Sequence, residues 1–233
     1  MSDGLRLGII TIGQSPRTDV LEDFINALGF LPEFEQKGLL DNLSKREIES
    51  LAPDSNEDNI LVTRLKDGSE TRLSERKAIE RLPKAVKDLE ESNVDIIVLF
   101  CTGEFPPLSS KVPILYPSEI VRSLVSAIFS SRINIQKRLC VVAPTSEQIP
   151  MLAKKWQIPG LELFFESLSP YTSRESEVLK CAQIVDKFGC DIIVLDCIGY
   201  TERIRKLFAK VTGKPVILPR SLLARILAEI VSK

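Results

Sequence analysis

Asn93-Val-Asp-Ile-Ile-Val-Leu-Phe-Cys101-Thr-Gly-Glu-Phe105 returns later in the chain as Gly189-Cys-Asp-Ile-Ile-Val-Leu-Asp-Cys197-Ile-Gly-Tyr-Thr201. Seven of the thirteen positions are identical: Asp95/Asp191, Ile96/Ile192, Ile97/Ile193, Val98/Val194, Leu99/Leu195, Cys101/Cys197 and Gly103/Gly199. A hydrophobic run alone can recur by chance; a cysteine and a glycine at matching offsets behind it make chance a poor account. Downstream, Pro113-Ile-Leu-Tyr-Pro117 echoes Pro215-Val-Ile-Leu-Pro219, each followed by an apolar helical pattern. Upstream, Arg6-Leu7 and Arg138-Leu139 each open an apolar strand that leads to a turn with a hydroxyl residue. The chain reads as two copies of one α/β unit.

The pattern around the repeat agrees with that reading. Strands are expected at Leu5–Ile12, Val94–Cys101, Val112–Tyr116, Arg138–Ala143, Leu161–Glu166, Asp191–Cys197 and Pro215–Leu218, with helices in the intervals. Several of these strands are apolar throughout rather than alternating, as happens when helices cover both faces of a parallel sheet. After the first strand, Ser15 suits a helix N-cap and Pro16 the first helical position, for a helix to about Leu28. Ser44-Lys45-Arg46-Glu47 has capping-box spacing. Asn59 to Leu73 alternates with period two on both sides of Asp67-Gly68, the mark of a hairpin. Ser74 then caps a helix with Ala78, Ile79, Leu82, Ala85, Val86 and Leu89 on one stripe, which Pro83 should bend. The last helix is expected from about Ser221 to the end. The fold class is α/β, two pseudo-symmetric halves with mostly parallel sheets and a hairpin insertion in the first half. Residues 1–117 form the first half, completed by the C-terminal helix 219–233, and residues 118–218 form the second.

Composition narrows the chemistry. The chain has 233 residues, 31 Lys+Arg against 32 Asp+Glu, a net charge of −1 and no histidine. Near-zero net charge, one Trp and three Tyr argue against nucleic acid as a partner. Without histidine there is no Ser-His-Asp or Cys-His catalysis and no His-bearing metal site, and catalysis falls to carboxylates, lysines, tyrosines or thiols. The five cysteines are odd in number and lack C-x-x-C spacing, so they do not read as a disulfide framework. Met1-Ser2-Asp3-Gly4 leads straight toward a strand with no secretory signal, and no apolar run is long enough for a membrane span. A cytoplasmic protein with reduced thiols is expected.

Each repeat places its cysteine at the carboxyl end of a buried strand, just before a glycine turn. Ligands of open parallel sheets bind at that edge. Two copies related by an approximate twofold would set Cys101 and Cys197 face to face across a small substrate. That arrangement suits a two-base reaction, in which one group removes a proton from a carbon acid and the other returns one on the opposite face. A free thiol with a pKa of about 8.5 is mostly protonated near neutrality, so one must be activated by a helix N-terminus, backbone N–H groups or a nearby Lys or Arg.

Paired cysteines on repeated strand ends resemble the aspartate/glutamate/hydantoin racemase superfamily. More closely, Gly8-Ile-Ile-Thr-Ile-Gly-Gln-Ser-Pro-Arg17, Ser74-Glu-Arg-Lys77, Lys155-Trp-Gln157 and Leu195-Asp-Cys-Ile-Gly199 are similar to the AroM family, over nearly the whole chain. The resemblance implies two pseudo-symmetric α/β halves, no pyridoxal phosphate, metal or other cofactor, a small carboxylate metabolite as partner, pairing as a homodimer, and a context in aromatic amino-acid metabolism. Superfamily members carry Cys-Thr-Asn in the first half and Cys-Thr-His, or a near variant, in the second. Here the sequences are Cys101-Thr102-Gly103 and Cys197-Ile198-Gly199. The two thiols and Thr102 therefore carry over, and the identity of the substrate does not.

For the substrate anion, the turn from Thr11 through Gly13 and Ser15 to Arg17 opens a helix with free N–H groups. In the second half, Thr145 and Ser146 offer two more hydroxyls. Gly103, Gly199, Glu104 and Tyr200 follow the cysteines and are candidates to line the cleft. Each has a plainer reading: Ser15 only caps a helix, Arg17, Arg76 and Lys77 are surface charges, and Glu104 and Tyr200 are turn residues. Arg76 and Lys77 at a helix start oppose its dipole and hint at an anionic partner. Asp196, beside Cys197, either raises that thiol's pKa or points to the other sheet face. Cys140, Cys181 and Cys190 read as separate packing thiols, Trp156 as core or interface, and Asp95 and Asp191 as partners of local backbone donors. The expected activity is racemisation, isomerisation or decarboxylation of a carboxylate-bearing carbon acid. The rival reading is a non-catalytic small-molecule-binding or regulatory protein on the same scaffold.

Overall fold

A computed structural model describes residues 5–54, 59–130 and 136–231. The expectations for Met1–Gly4 and for the last turn at 232–233 lie outside them. The first half runs β1 (Arg6–Thr11), α1 (Thr18–Leu28), β2 (Glu33–Gly38), α2 (Lys45–Ser50), β3 (Ile60–Arg64), β4 (Glu70–Ser74), α3 (Glu75–Ile79), α4 (Leu82–Glu90), β5 (Ile96–Phe100) and β6 (Ile114–Leu115). Helix α5 (Pro117–Ser130) leads to β7 (Lys137–Ala143), α6 (Ile149–Lys155), β8 (Leu161–Ser167), α7 (Glu175–Phe188), β9 (Ile192–Leu195), α8 (Glu202–Thr212), β10 (Val216–Ile217) and α9 (Pro219–Val231).

Two parallel sheets have matching orders, β2-β1-β5-β6 and β8-β7-β9-β10. Their registers match too, with Leu7 opposite Ile96 and Leu139 opposite Ile192. The repeated aspartates fix this register: the Asp95 carboxylate accepts from the Arg6 N–H at 2.7 Å and that of Asp191 from the Arg138 N–H at 3.0 Å. Both thus serve local backbone donors, as their position before buried strands suggests.

The unbroken apolar strands are explained by what covers them. One face of the first sheet packs Ile10, Ile97 and Leu99 against Leu82, Val86 and Leu89 of α4. Its other face packs Leu7, Ile9, Val98 and Phe100 against α1 and against Leu223, Ala224 and Leu227 of α9. The second sheet is covered by α7 and α8 on one side, and by α5 together with Leu152 and Trp156 on the other. Each sheet therefore borrows a helix that follows the other half's last strand, and the two cores interlock.

The hairpin β3–β4 is antiparallel, from Ile60 opposite Ser74 to Arg64 opposite Glu70. Ser74 caps α3 by accepting from the Lys77 N–H, and Ser44 and Glu47 form the expected capping box on α2. The helix carrying Pro83 does not bend but breaks, into α3 and α4 with the proline in α4's first turn, where its missing N–H costs least.

Three expectations are corrected. Helix α1 begins at Thr18 with Arg17 at its N-cap, and Ser15 is no cap because its N–H and hydroxyl are both given to Asp41. Strand β2, Glu-Phe-Glu-Gln-Lys-Gly, is an edge strand that carries the polar residues such edges favour, so its apolar signal is only Phe34. Cys140 and Cys190 are not separate packing thiols: pairing of β9 beside β7 brings them together as a disulfide, with Cα atoms 5.7 Å apart. Cys181 stays a lone buried thiol. Among the described residues no helix is long and apolar enough to cross a membrane.

Candidate active site

Strands β5 and β9 end at equivalent cysteines, and the turns behind them meet. The Thr102 hydroxyl donates to the Asp196 carbonyl at 3.1 Å, tying the residue after Cys101 to the residue before Cys197. Each sulfur receives the N–H of the glycine two residues on, Gly103 to Cys101 at 3.4 Å and Gly199 to Cys197 at 3.3 Å. The repeated Cys-x-Gly is therefore a small device that aims a backbone donor at a thiol. Both thiols border one cavity, of about 20 Å³, with Thr102, Gly103, Pro144, Gln148, Met151, Leu152, Asp196, and Leu61 and Val62 of the hairpin. That volume admits about one water molecule.

The two thiols differ in surroundings. Burial pushes Cys101 up to about 12, and the neighbouring Cys197 and Glu75 add to the rise against the Gly103 N–H. Cys197 is also raised by burial, and the Asp196 charge adds to the rise, but the Gly199 N–H, the Arg17 guanidinium and a hydrogen bond with the Tyr171 hydroxyl all favour its thiolate. Arg17 is buried, bonded through Nε and Nη2 to Asp19 at 2.8 and 2.9 Å, and lies over the Tyr171 ring at 5.5 Å. Burial opposes its charge, yet Asp19 and Tyr171 more than restore it. The Gly199 position must be glycine, since a Cβ there would stand 2.6 Å from the Tyr171 hydroxyl.

The Asp196 charge adds to the rise of Cys197, while its carboxylate is bonded away from that thiol. Its carboxylate takes both Lys155 Nζ contacts at 2.9 Å and the Trp156 indole N–H at 2.7 Å, and Lys155 also donates to the Thr102 carbonyl at 2.8 Å. Trp156 is core, as expected, but with its polar tip in this network. On the other side, Arg220 of α9 holds the Ile198 and Gly199 carbonyls at 3.0 and 2.9 Å and pairs with Asp23. Each cysteine turn is thus held by a buried cation.

The other candidates divide. Thr11 is buried at the end of β1 and accepts from Arg17 at 3.4 Å. Gly13 permits the hairpin's close approach: a Cβ would lie 2.4 Å from the Arg64 carbonyl. Ser15 lines a separate hollow of about 470 Å³ beside β2 and α4. Thr145 and Ser146 line the equivalent hollow of the second half, about 420 Å³, beside β8 and α7. Glu104 is exposed. Tyr200 is fully buried and donates to the Ala143 and Leu168 carbonyls, so it braces the turn. Ser15, Glu104, Thr145, Ser146 and Tyr200 are therefore not brought to the cavity, because local carboxylates, carbonyls or solvent claim them. Arg76 and Lys77 find their anion within the chain, at Asp54.

Sequence reasoning missed Tyr171, Gln148, Lys155 and Glu75. Glu75 is 8% exposed, takes the Asn59 amide at 2.7 Å on Oε2, and leaves Oε1 without a partner among the described residues. Burial raises its carboxyl above the ordinary value; the Asn59 amide and Lys155 oppose the rise and the Glu104 charge adds to it. A carboxyl raised in the folded state binds its proton more tightly there, so its contribution is fully favourable at low pH and is lost as pH climbs through the folded value. Glu75→Gln is expected to leave the melting temperature unchanged near pH 3, below the ordinary carboxylate range, and to raise it at about pH 7. Melting curves at the two pH values check this; a loss at pH 7 would show the ionised carboxylate to be stabilising.

The family model described as AroM protein matches residues 7–231. No protein of curated function matches the chain. Among solved structures it is similar to glutamate racemase from Aquifex pyrophilus, at 17% identity over 98% of this chain and 84% of that one, with a TM-score of 0.57. It is similar also to an unliganded arylmalonate decarboxylase (14%, 98% and 93%, 0.58) and to Picrophilus torridus aspartate racemase (14%, 99% and 95%, 0.54). At such identities the likeness is one of fold. With the family match spanning nearly every residue, the chain belongs to the AroM protein family, built on the two-halved α/β fold of the aspartate and glutamate racemases.

Proposed function

We propose that the chain is a cofactor-independent racemase, isomerase or decarboxylase of a small carboxylate-bearing carbon acid, with Cys101 and Cys197 as the acid/base pair. The observation that carries this reading is the equivalence of the two sites: two thiols at matching strand ends, each with a glycine N–H on its sulfur, bordering one cavity. The names of the similar structures, glutamate and aspartate racemases and an arylmalonate decarboxylase, share a carboxylate-bearing substrate. In the isomerase direction, Cys197 thiolate takes the Cα proton, the electron pair moves into the carboxylate as an enediolate, and the Cys101 thiol returns a proton to the opposite face. The thiol and thiolate roles end exchanged. In decarboxylation the C–C bond breaks with loss of carbon dioxide, and a thiol protonates the remaining carbanion before regaining its proton from water.

Cys197 takes the base role in this proposal because the Gly199 N–H, Arg17 and Tyr171 favour its thiolate against the Asp196 charge, while at Cys101 the Gly103 N–H and Lys155 stand against Cys197 and Glu75. Proton NMR in deuterium oxide with a panel of carboxylic acids, amino acids and hydantoins tests the reading. Loss of a Cα–H signal is the expected result.

A second reading, a binding protein without turnover, is favoured by one observation: among the described residues no cation lines the cavity, and the charge of Arg17, behind Cys197, is already matched by Asp19. Saturable binding with no exchange would support it over catalysis.

A further inference from the structure

The wall of the cysteine cavity contains a side chain whose hydrogen bonds are half used. Gln148 is 6% exposed, at the end of the 3-10 turn Ser146–Gln148 that opens α6. Its Nε2 donates to the Ile60 carbonyl on β3 at 2.6 Å, while Oε1 has no partner among the described residues. The amide cannot be turned to relieve this, because its oxygen would then face the Ile60 carbonyl oxygen. A buried carbonyl without a donor destabilises the site that holds it, and such groups are uncommon in folded proteins. The backbone leaves little freedom to move it: the Gln148 N–H is bonded to the Thr145 carbonyl at 3.1 Å, and Pro150 follows within the first turn of α6. The remaining wall is thiol, apolar surface and groups already engaged. Thr102 has given its hydroxyl to Asp196, and Leu61, Val62, Met151 and Leu152 offer no donor.

We propose that Gln148 is a specificity-determining residue: its carbonyl oxygen accepts an O–H or N–H carried on the ligand, so that the site selects carbon acids with a hydrogen-bond donor over acids of the same shape without one. The assignment rests on the reading of the cysteine cavity as the ligand site. It also ties selection to the hairpin, since the same amide holds β3 against the second half.

Matched pairs of acids test this: lactate against isobutyrate, and mandelate against 2-phenylpropionate, in which a methyl group replaces the hydroxyl. Binding is measured by calorimetry or ligand-observed NMR, and Cα–H exchange is followed separately. The wild type is expected to bind the hydroxy acid of a pair at least about tenfold more tightly. Gln148→Met, of similar length and without the amide, is expected to bring the ratio close to one. Circular dichroism of Gln148→Met shows whether that variant is folded, and the comparison within the wild type stands by itself where it is not. Equal binding of both members by the wild type overturns the proposal, as does a preference that survives in Gln148→Met or binding of neither pair. A preference for hydroxy acids with no proton exchange would keep Gln148 in this role and sink the catalytic reading. Exchange from both members at equal rate and affinity would do the reverse.

Discussion

Racemisation is expected to fall by roughly two to four orders of magnitude in Cys101→Ala and in Cys197→Ala, the size of a lost general acid or base. The more telling result lies in what each variant keeps. With one thiol facing each side of the substrate carbon, the enantiomer whose proton points at the remaining sulfur can still lose it and regain deuterium from the same side. Cys101→Ala should therefore wash deuterium into one enantiomer without inverting it, and Cys197→Ala into the other. The surroundings make the two residual rates unequal. Cys197 keeps the Gly199 N–H, Arg17 and Tyr171, which favour its thiolate against the Asp196 charge, whereas Cys101 has the Glu75 charge against it and only its glycine donor and the Lys155 charge in its favour. Cys101→Ala, with Cys197 left, should be the faster exchanger, and Tyr171→Phe should slow it. The same order is expected for alkylation by iodoacetamide, slow in both cases because the cavity is nearly closed. Inversion by either single variant at near wild-type rate would sink the two-thiol mechanism.

Why the cysteine pair was legible and its neighbours were not follows from how each is encoded. Val94–Cys101 and Asp191–Cys197 announce themselves locally, by an apolar run ending in cysteine and glycine, and the repetition makes the local signal specific. The sheet edge then places the thiols together without further information. Tyr171 has no such signal. It reaches Arg17 across 154 positions of sequence, from the loop after β8; a tyrosine behind a strand end in the second copy was the available clue. Glu75 and Lys155 lie in segments that carry the family likeness, Ser74–Lys77 and Lys155–Gln157, but a motif does not say that its charge is buried. Local competition hid the rest: Ser15 and Thr145 follow equivalent strands with hydroxyls suited to an anion, yet each lies beside an acidic neighbour, Asp41 or Glu147, that takes the hydroxyl. Strand β2 escaped for the opposite reason, since an edge strand is selected to look polar.

Lys155 and Asp196 should carry the largest effect on stability. Their side chains are 1% and 0% exposed, so neither charge has water to fall back on. Lys155→Met leaves the Asp196 carboxylate with the Trp156 N–H as its one side-chain donor, and the Thr102 carbonyl with none. Asp196→Leu strands an ammonium and an indole N–H instead. Removing one member of a buried pair costs about 3–5 kcal/mol, which for a chain of this size lowers the melting temperature by on the order of 10 °C. The double variant should lose less than the two single losses combined, because no bare charge then remains. Denaturant titration of the three variants gives that coupling directly. The pair also joins the two cysteine turns, through the Thr102 carbonyl on one side and Asp196 on the other. Lys155→Met should therefore slow Cα–H exchange at temperatures where circular dichroism shows it folded, while Lys77→Met, which cuts a surface tie to Asp54, should leave exchange unchanged. Single variants that each lose under about 1 kcal/mol would mean that the pair is wet or neutral in solution, and the bridge between the two halves of the site would have to be sought in Arg220 instead.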